Sequence, residues 1–263
     1  MNVGGRTVLL TGATGGLGHA IARRLAAAGA RLVLSGRRGD VLAELAGEIG
    51  AEVAVADLSD PDAVRSLAEA HTDVDIFIAN AGVPASGRLQ TYDQEQIERA
   101  LLVNLHSPIV LTHALAPHMV SRGTGHIVFM SSLSGKTATA GSSLYNATKY
   151  GLRGFAGAMR AELHGTGVGV SAIFPGFIRD AGMFADADVK LPFGVGTKTP
   201  EAVAEATLRA IERNRGEIDV APIGLKVGSL LGGIAPETAA RVTRRSGGDA
   251  VAMQFETGQM SKR

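Results

Sequence analysis

The chain of 263 residues contains no cysteine, which excludes a disulfide framework and any thiolate metal site and by itself says little about compartment. It has no surplus of one charge: 26 basic and 25 acidic side chains leave a formal +1, and no long block of one sign marks a nucleic-acid-binding tail. Nucleic acid is therefore not an expected partner. It also lacks an apolar run long enough to span a bilayer. The nearest approach, Val220 to Pro236, carries Lys226 and is broken by Pro222, Gly224, Gly228, Gly232 and Gly233. Two readings of that stretch stay open: surface contact with a membrane or an apolar partner, or a last strand followed by core or subunit packing. The opening Met1-Asn2-Val3-Gly4-Gly5-Arg6 does not present a charged start, an apolar run and a small-residue cleavage site in succession, so a cytoplasmic location is expected. With no internal repeat, no break in composition and 45% hydrophobic residues, the chain can bury one substantial core, and a single domain is expected.

What is present is alternation. Thr7–Thr11, Arg31–Ser35, Glu52–Ala56, Val74–Ala79, His126–Met130, Gly169–Phe174 and Glu217–Ala221 read as seven strands. Between them, helices are expected over Leu17–Ala28, Gly39–Ile49, Pro61–His71 (with Asp60 as N-cap), Asp93–Met119 (kinked or divided by Pro108) and Leu144–His164. This is an α/β chain with a doubly wound parallel sheet covered on both faces, whose ligands bind beyond the carboxyl ends of the strands. Residues 1–221 form the expected core, with Gly182–Pro200 a loop or lid before the next helix. Residues 222–263 form a C-terminal extension on the core or at a subunit interface, with a helix over Pro236–Arg245 and a polar tail to Arg263.

Two clusters carry chemistry. Near the start, Thr11-Gly12-Ala13-Thr14-Gly15-Gly16-Leu17-Gly18 follows an apolar strand and opens a helix, the setting in which helix N–H groups face a pyrophosphate. Gly12 permits the sharp turn, Gly16 the approach of phosphate and Gly18 close helix–strand packing. Later, Tyr145 and Lys149 share a helix face at i and i+4, with Ser132 thirteen residues before the tyrosine. An ammonium beside a phenol favours the phenolate and lowers a pKa that starts near ~10. The chemistry this implies is carbonyl reduction or alcohol oxidation. No metal ligand is assigned.

The order Thr-Gly-x-x-x-Gly-x-Gly, Ser132 and Tyr145-x-x-x-Lys149 resembles the short-chain dehydrogenase/reductase family. So do Asp57-Leu58, Asn80-Ala81-Gly82, Asn104 and Pro175-Gly176, each after the appropriate strand or in the appropriate helix. The resemblance spans about Arg6 to Gly176 and implies a single Rossmann-type domain and hydride exchange with a nicotinamide dinucleotide. It implies Tyr145 as general acid or base, Ser132 as a second donor to the reacting oxygen, and Lys149 on the nicotinamide ribose and beside the phenol. Asn104 would hold a relay water. For the dinucleotide it implies the turn with Thr14 and Leu17, Asp57 on the adenine amino group, and Leu58 through its backbone. Asn80 and Gly82 would border the adenosine ribose, and Pro175, Gly176 and the backbone of Ile178 would lie at the nicotinamide end. Asp57 also admits a reading as a helix cap.

Where an acid would hold the ribose of NAD, the chain reads Ser35-Gly36-Arg37-Arg38. A guanidinium there suits a 2′-phosphate, so NADP(H) is the expected cofactor over NAD(H); a solvated helix start is the other reading of the two arginines. Ala79 replaces a common asparagine. Asp180 stands where the family has a threonine or serine, so the register shifts, a neighbour binds instead, or Asp180 pairs with Arg179 or another cation.

The lid residues Met183, Phe184, Leu191, Pro192 and Phe193, mixed with Asp186, Asp188 and Lys190, read either as a lipophilic substrate wall or as packing on the core. The facing wall would come from Val83–Arg88 and Leu133–Ser143. A small-molecule partner, a medium-sized lipophilic carbonyl or alcohol, is expected, and a homodimer through the two long helices or a homotetramer is the expected assembly. The other functional readings are a catalytically silent dinucleotide-binding regulator and an epimerase or dehydratase.

Overall fold

The computed structural model describes the backbone of residues 1–185, 187, 189, 191, 195–238, 241 and 248–259, and the side chains of all of these except 248–252. Seven strands, β1 (Thr7–Thr11), β2 (Arg31–Gly36), β3 (Glu52–Val55), β4 (Ile76–Ala79), β5 (Gly125–Met130), β6 (Val168–Pro175) and β7 (Glu217–Val220), form one sheet in the order β3-β2-β1-β4-β5-β6-β7. Every pairing is parallel. All seven expected strands are present, with ends displaced by one or two residues. β5 and β6 are buried along their whole length, as continuous apolar runs between two helical layers must be.

The helices are α1 (Gly16–Ala27), α2 (Gly39–Ile49), α3 (Pro61–Ala70), α4 (Gln94–Leu101), α5 (Ser107–Ser121), α6 (Ser143–Glu162), α7 (Gly182–Ala185), α8 (Pro200–Glu212), α9 (Ile223–Ile234) and α10 (Gly248–Gln259). Ile21 and Leu25 of α1, Leu42 and Leu45 of α2, and Val203 and Ile211 of α8 cover one face of the sheet. Leu67 of α3, Leu111 and Leu115 of α5, and Leu152 of α6 cover the other. Asp60 caps α3 by accepting from the Asp62 N–H at 2.9 Å, with Pro61 in the first turn where its missing N–H costs nothing. The strand order reverses between β1 and β4, which opens a crevice at their carboxyl ends.

Three expectations change. The helix over Asp93–Met119 is divided, but by a π turn at Leu102–His106 directly ahead of Pro108 rather than by a break. The proline has no N–H, so the Asn104 carbonyl loses its ordinary α-helical donor and the chain takes a wider turn. The continuous run Gln94–Ser121 is long and apolar enough to cross a membrane, yet half of it is buried within the fold, as a core helix is. The polar tail is not a tail over Gly248–Gln259, which is helix α10; most of the expected Pro236–Arg245 helix lies outside the described residues.

The lid begins as α7 and returns through a parallel bridge between Ile178 and Lys198; Asp186, Asp188, Lys190, Pro192 and Phe193 lie outside the described residues. After β7, α9 does not pack fully on the core. Ser229 and Gly232 are buried, while Ile223, Val227, Leu230, Leu231 and Ile234 form an exposed apolar stripe at helical spacing.

Candidate active site

At the end of β1 the chain turns at Gly12 with φ +66, and a Cβ there would lie 2.6 Å from the Ala81 Cα. Both the backbone angle and the close approach require glycine. A Cβ on Gly18 would collide with the Gly12 carbonyl, so this glycine lets α1 seat on the turn, and one on Gly16 would collide with Ala181 from the start of the lid. Gly16 was expected to make room for phosphate; it also makes room for the lid. Asn80 ties the crevice together, its Nδ2 donating to the carbonyls of Thr11 and Gly12, both at 3.1 Å. Thr11, not singled out in the sequence, is the other tie: its hydroxyl donates to the Ile78 carbonyl and accepts from the N–H groups of Asn80 and Ala81 at 3.2 and 3.3 Å.

Beyond β2, Arg38 donates from Nη2 to the Thr14 carbonyl at 2.6 Å, and Arg37 stands 4.0 Å from Asp57. Ser35, at the end of β2, is buried with its hydroxyl unpartnered. Asp57 accepts from the N–H and hydroxyl of Ser59 at 2.9 and 2.7 Å. Partial burial raises its pKa, but the two Ser59 bonds and the guanidiniums of Arg37 and Arg99 outweigh it and hold the carboxyl below its ordinary value. Since Asp60 caps α3, the capping alternative for Asp57 falls away. The Leu58 carbonyl is held by the Ser107 hydroxyl at 2.6 Å.

At the reacting end, β5 delivers Ser131 and Ser132, and α6 delivers Tyr145 and Lys149. Ser132 and Tyr145 line the same cavity, near enough for the Ser132 hydroxyl to pull the phenol's pKa down; Ser132 donates to the Pro175 carbonyl at 3.4 Å and accepts from the Ser134 N–H at 3.1 Å. Lys149 is buried and donates to the Met130 carbonyl at 2.9 Å, its Nζ 5.6 Å from the centre of the Tyr145 ring. The expected acidification of the tyrosine is not what this arrangement produces. Burial pushes the phenol up to about 12, against the weaker pull of the Ser132 hydroxyl, and burial brings Lys149 down to about 8. An ammonium that is itself poorly solvated and engaged by a carbonyl gives the phenolate little help. Tyr145 keeps part of its side chain open to the cavity, and water there opposes the rise.

The side chain of Asn104 is committed to the loop after β4. It is buried, its Oδ1 accepting from the Val83 N–H at 2.7 Å and its Nδ2 donating to the Val83 carbonyl at 3.0 Å. The amide pins the loop after β4, and Asn104 is absent from the cavity lining. Only its main-chain carbonyl, relieved of an α-helical donor by Pro108, is left for a relay water. Ser131 anchors α6 by donating to the Lys149 carbonyl at 3.1 Å. Asn146, inside the Tyr-x-x-x-Lys run, donates to the carbonyls of Ser134 and Thr137 and so holds the facing wall.

At the end of β6, the Gly176 N–H donates to the Val220 carbonyl at 3.0 Å. Lys198 bonds to both Phe177 and Arg179, so the main-chain groups of the intervening Ile178 turn the opposite way. Of the alternatives for Asp180, ion pairing is the one seen: Arg179 Nε lies 3.3 Å from its Oδ2, with Asp180 at φ +68.

These groups line one cavity of about 1510 Å³, running from Arg37, Arg38 and Asp57 past Gly12, Thr14, Gly16, Leu17 and Gly18 to Asn80, Gly82, Ser132, Tyr145, Lys149, Pro175, Gly176 and Ile178. A single small ligand occupies ~300–1,000 Å³, so there is room for a dinucleotide and a substrate end to end. The donor set fits: a backbone cradle without side chains at the turn, cations at one end, paired hydroxyls at the other. Among the described residues no three His, Asp or Glu side chains gather as a metal ion would require. The far wall holds residues the sequence did not single out: Leu225, Gly228 and Ser229 of α9, and Phe255 and Gln259 of α10. The signal for α9 was the apolar stretch Val220 to Pro236, and for Phe255 a Val-Ala-Met-x-Phe run between Gly248 and Gly258.

Comparison with known proteins agrees with this geometry. The model of short chain dehydrogenases matches residues 6–190. A ketoacyl reductase, HetN, of Nostoc sp. is 36% identical over 91% of this chain and 88% of its own. Dehydrogenase/reductase SDR family member 7B of Bos taurus is 34% identical over 81% of this chain and 73% of its own. Among solved structures, a short-chain dehydrogenase from Sphingobium yanoikuyae in complex with NADPH has a TM-score of 0.76 and 28% identity, covering 89% of this chain and 95% of that one. A metagenomic short-chain oxidoreductase in complex with NADP has a TM-score of 0.70 and 31% identity, covering 84% and 99%. With its parallel sheet, its glycine turn and its hydroxyl pair all in register, the chain belongs to the short-chain dehydrogenase family and is an oxidoreductase with a site for a nicotinamide dinucleotide.

Proposed function

We propose that the protein interconverts a ketone or aldehyde and an alcohol with NADP(H), Tyr145 acting as general acid in reduction and general base in oxidation. The observation that carries this reading is that the Ser132 and Tyr145 hydroxyls and Lys149 line one cavity with the glycine turn and the guanidiniums of Arg37 and Arg38. Bound along the turn, a nicotinamide dinucleotide supplies the hydride for reduction or takes it up in oxidation. A phenol whose pKa is near 12 is fully protonated at neutral pH, which suits the acid role. Both hydroxyls donate to the carbonyl oxygen as alkoxide charge develops on it. Lys149, titrating near 8, is poised to return a proton toward the phenol, with the main-chain carbonyl of Asn104 holding the water that supplies it.

The preference for NADP(H) rests on the missing acid after β2 and on the two guanidiniums bordering the same end. NADPH and NADH oxidation by the purified protein, measured over aliphatic ketones, aldehydes, ketoacyl thioesters and steroid ketones beside Tyr145→Phe, tests both parts. Turnover with NADPH that the variant loses is the expected result. Faster reaction with NADH overturns the role given to Arg37 and Arg38. Cofactor binding without turnover of any carbonyl overturns the reductase reading and favours a regulator.

A further inference from the structure

The cavity's far wall is built by a helix that lies outside the matched family region of residues 6–190. Phe255 of α10 meets Phe177, from the segment after β6, and Phe184, from α7. The ring centroids are 6.3 Å apart for Phe177 and Phe255, 6.0 Å for Phe184 and Phe255, and 5.2 Å for Phe177 and Phe184. These are distances at which rings touch edge or offset face. All three line the same cavity as Tyr145 and Ser132, and Met183, Leu191, Val195 and Leu225 line it too.

Two further contacts hold α10 on the lid. Gln259, almost wholly buried, donates from Nε2 to the Met183 carbonyl at 3.3 Å, and a Cβ on Gly258 would collide with the carbonyl of Ala187. The orientation of the Gln259 amide is set by that carbonyl, which needs an N–H opposite it. Its Oε1 is left buried without a partner.

We propose that α10 is the substrate-selecting element of this protein: through Phe255 it completes an aromatic wall that favours carbonyl compounds with a flat aromatic or fused-ring body over short aliphatic ones. The assignment rests on the carbonyl reading above and adds the substrate class to it. A ring against the three phenyl groups buries apolar area at little conformational cost, whereas a short aliphatic ketone offers little apolar surface to them. Gly258 serves the same end, since only glycine lets α10 approach Ala187.

The test is a binding and a turnover measurement on full-length wild type, Phe255→Ala, Phe255→Leu and Gly258→Val. Binding of a naphthyl ketone and of a short aliphatic ketone to the NADPH complex is followed by the change in NADPH fluorescence, which needs no chemistry; NADPH affinity is read separately. The expected result is a naphthyl-over-aliphatic preference in wild type that drops about tenfold in Phe255→Ala and in Gly258→Val. It is partly kept in Phe255→Leu, with NADPH affinity the same in all four. In steady-state assays the drop falls on KM and not on kcat, as loss of uniform binding requires. A wild type that binds no naphthyl ketone, or a preference that Phe255→Ala leaves intact, overturns the proposal. Naphthyl ketone bound with Phe255-dependent affinity but never reduced upholds α10 as the selecting wall and overturns the carbonyl reaction instead.

Discussion

At the glycine-rich end of the cavity, Thr11, Asn80 and Arg38 join the ends of β1, β4 and β2 through directed hydrogen bonds to named carbonyls and N–H groups. At the other end, Phe177, Phe184 and Phe255 meet ring to ring, and the bond from Gln259 to Met183 joins α10 to the lid. Hydrogen bonds demand a particular atom in a particular direction, so few residue types serve at the first end. Packing is non-directional and asks only for shape and apolar area, so many serve at the second. The first end keeps its ligand constant while the second is free to change what it accepts.

Tyr145→Phe separates chemistry from either end most sharply. Its kcat should fall by ~10²–10⁴, the span of general acid catalysis, with NADPH affinity unchanged. An intact rate would move the acid to another group.

Next in size is the framework under both ends. His126 of β5 is buried against the Ser171 hydroxyl at 2.8 Å; burial, with the charges of the N-terminus and Arg160, brings its pKa to about 3 from 6.5. Between those values the unfolded chain binds a proton that the folded chain refuses. Stability therefore rises with pH across that window and is lost as pH falls from 6.5 toward 3, by about 1.4 kcal/mol per pH unit. Melting temperatures of wild type and His126→Gln over that range should diverge, the variant losing most of the slope. If they run parallel, the acid-sensitive group lies elsewhere.

Replacing Arg37 and Arg38 together by alanine should weaken NADPH binding by ~10–100-fold, the worth of one or two charge-assisted hydrogen bonds, and leave NADH binding nearly as it was. Titration of each nucleotide checks it, and an equal loss for both would place the guanidiniums on the pyrophosphate. The smallest pair tests the contrast itself. Thr11→Val keeps shape and removes the tie, and should cost ~1–3 kcal/mol of unfolding free energy through unpaired buried groups. Phe184→Leu at the packed end should cost under ~1.5 kcal/mol. Denaturant midpoints that reverse this order would mean the packed end is the more exacting one.

The same contrast governs what could be read from the residues alone. All seven strands, the turn with Gly12 and Gly18, the Asp60 cap and the Ser132, Tyr145, Lys149 set were legible because each rests on local periodicity or on a motif with directional demands. Asn104 was named from its place among the motifs with no group assigned, since the pairing of its amide with Val83 joins residues twenty-one apart and leaves no local pattern. The acidity of Tyr145 was misjudged for a related reason: i, i+4 spacing shows that Lys149 is near but not that its ammonium turns to the Met130 carbonyl. α10 was read as a polar tail because its mixed composition carries no clear stripe, and only Phe177 and Phe184, more than seventy residues earlier, give Phe255 its place.

The π turn at Leu102–His106 bears on how this chain can change in length. A π turn holds one residue more than an α-helix needs, so it takes up that residue within one wide turn and leaves α5 in phase with the sheet. Removing one residue there would let the wide turn close to an ordinary α-turn, with Leu111, Leu115 and Met119, all buried, still facing the sheet. Removing one from a regular α-helical stretch would rotate everything beyond it by about 100°, so the π turn is open to a change of length to which its α-helical neighbours are closed.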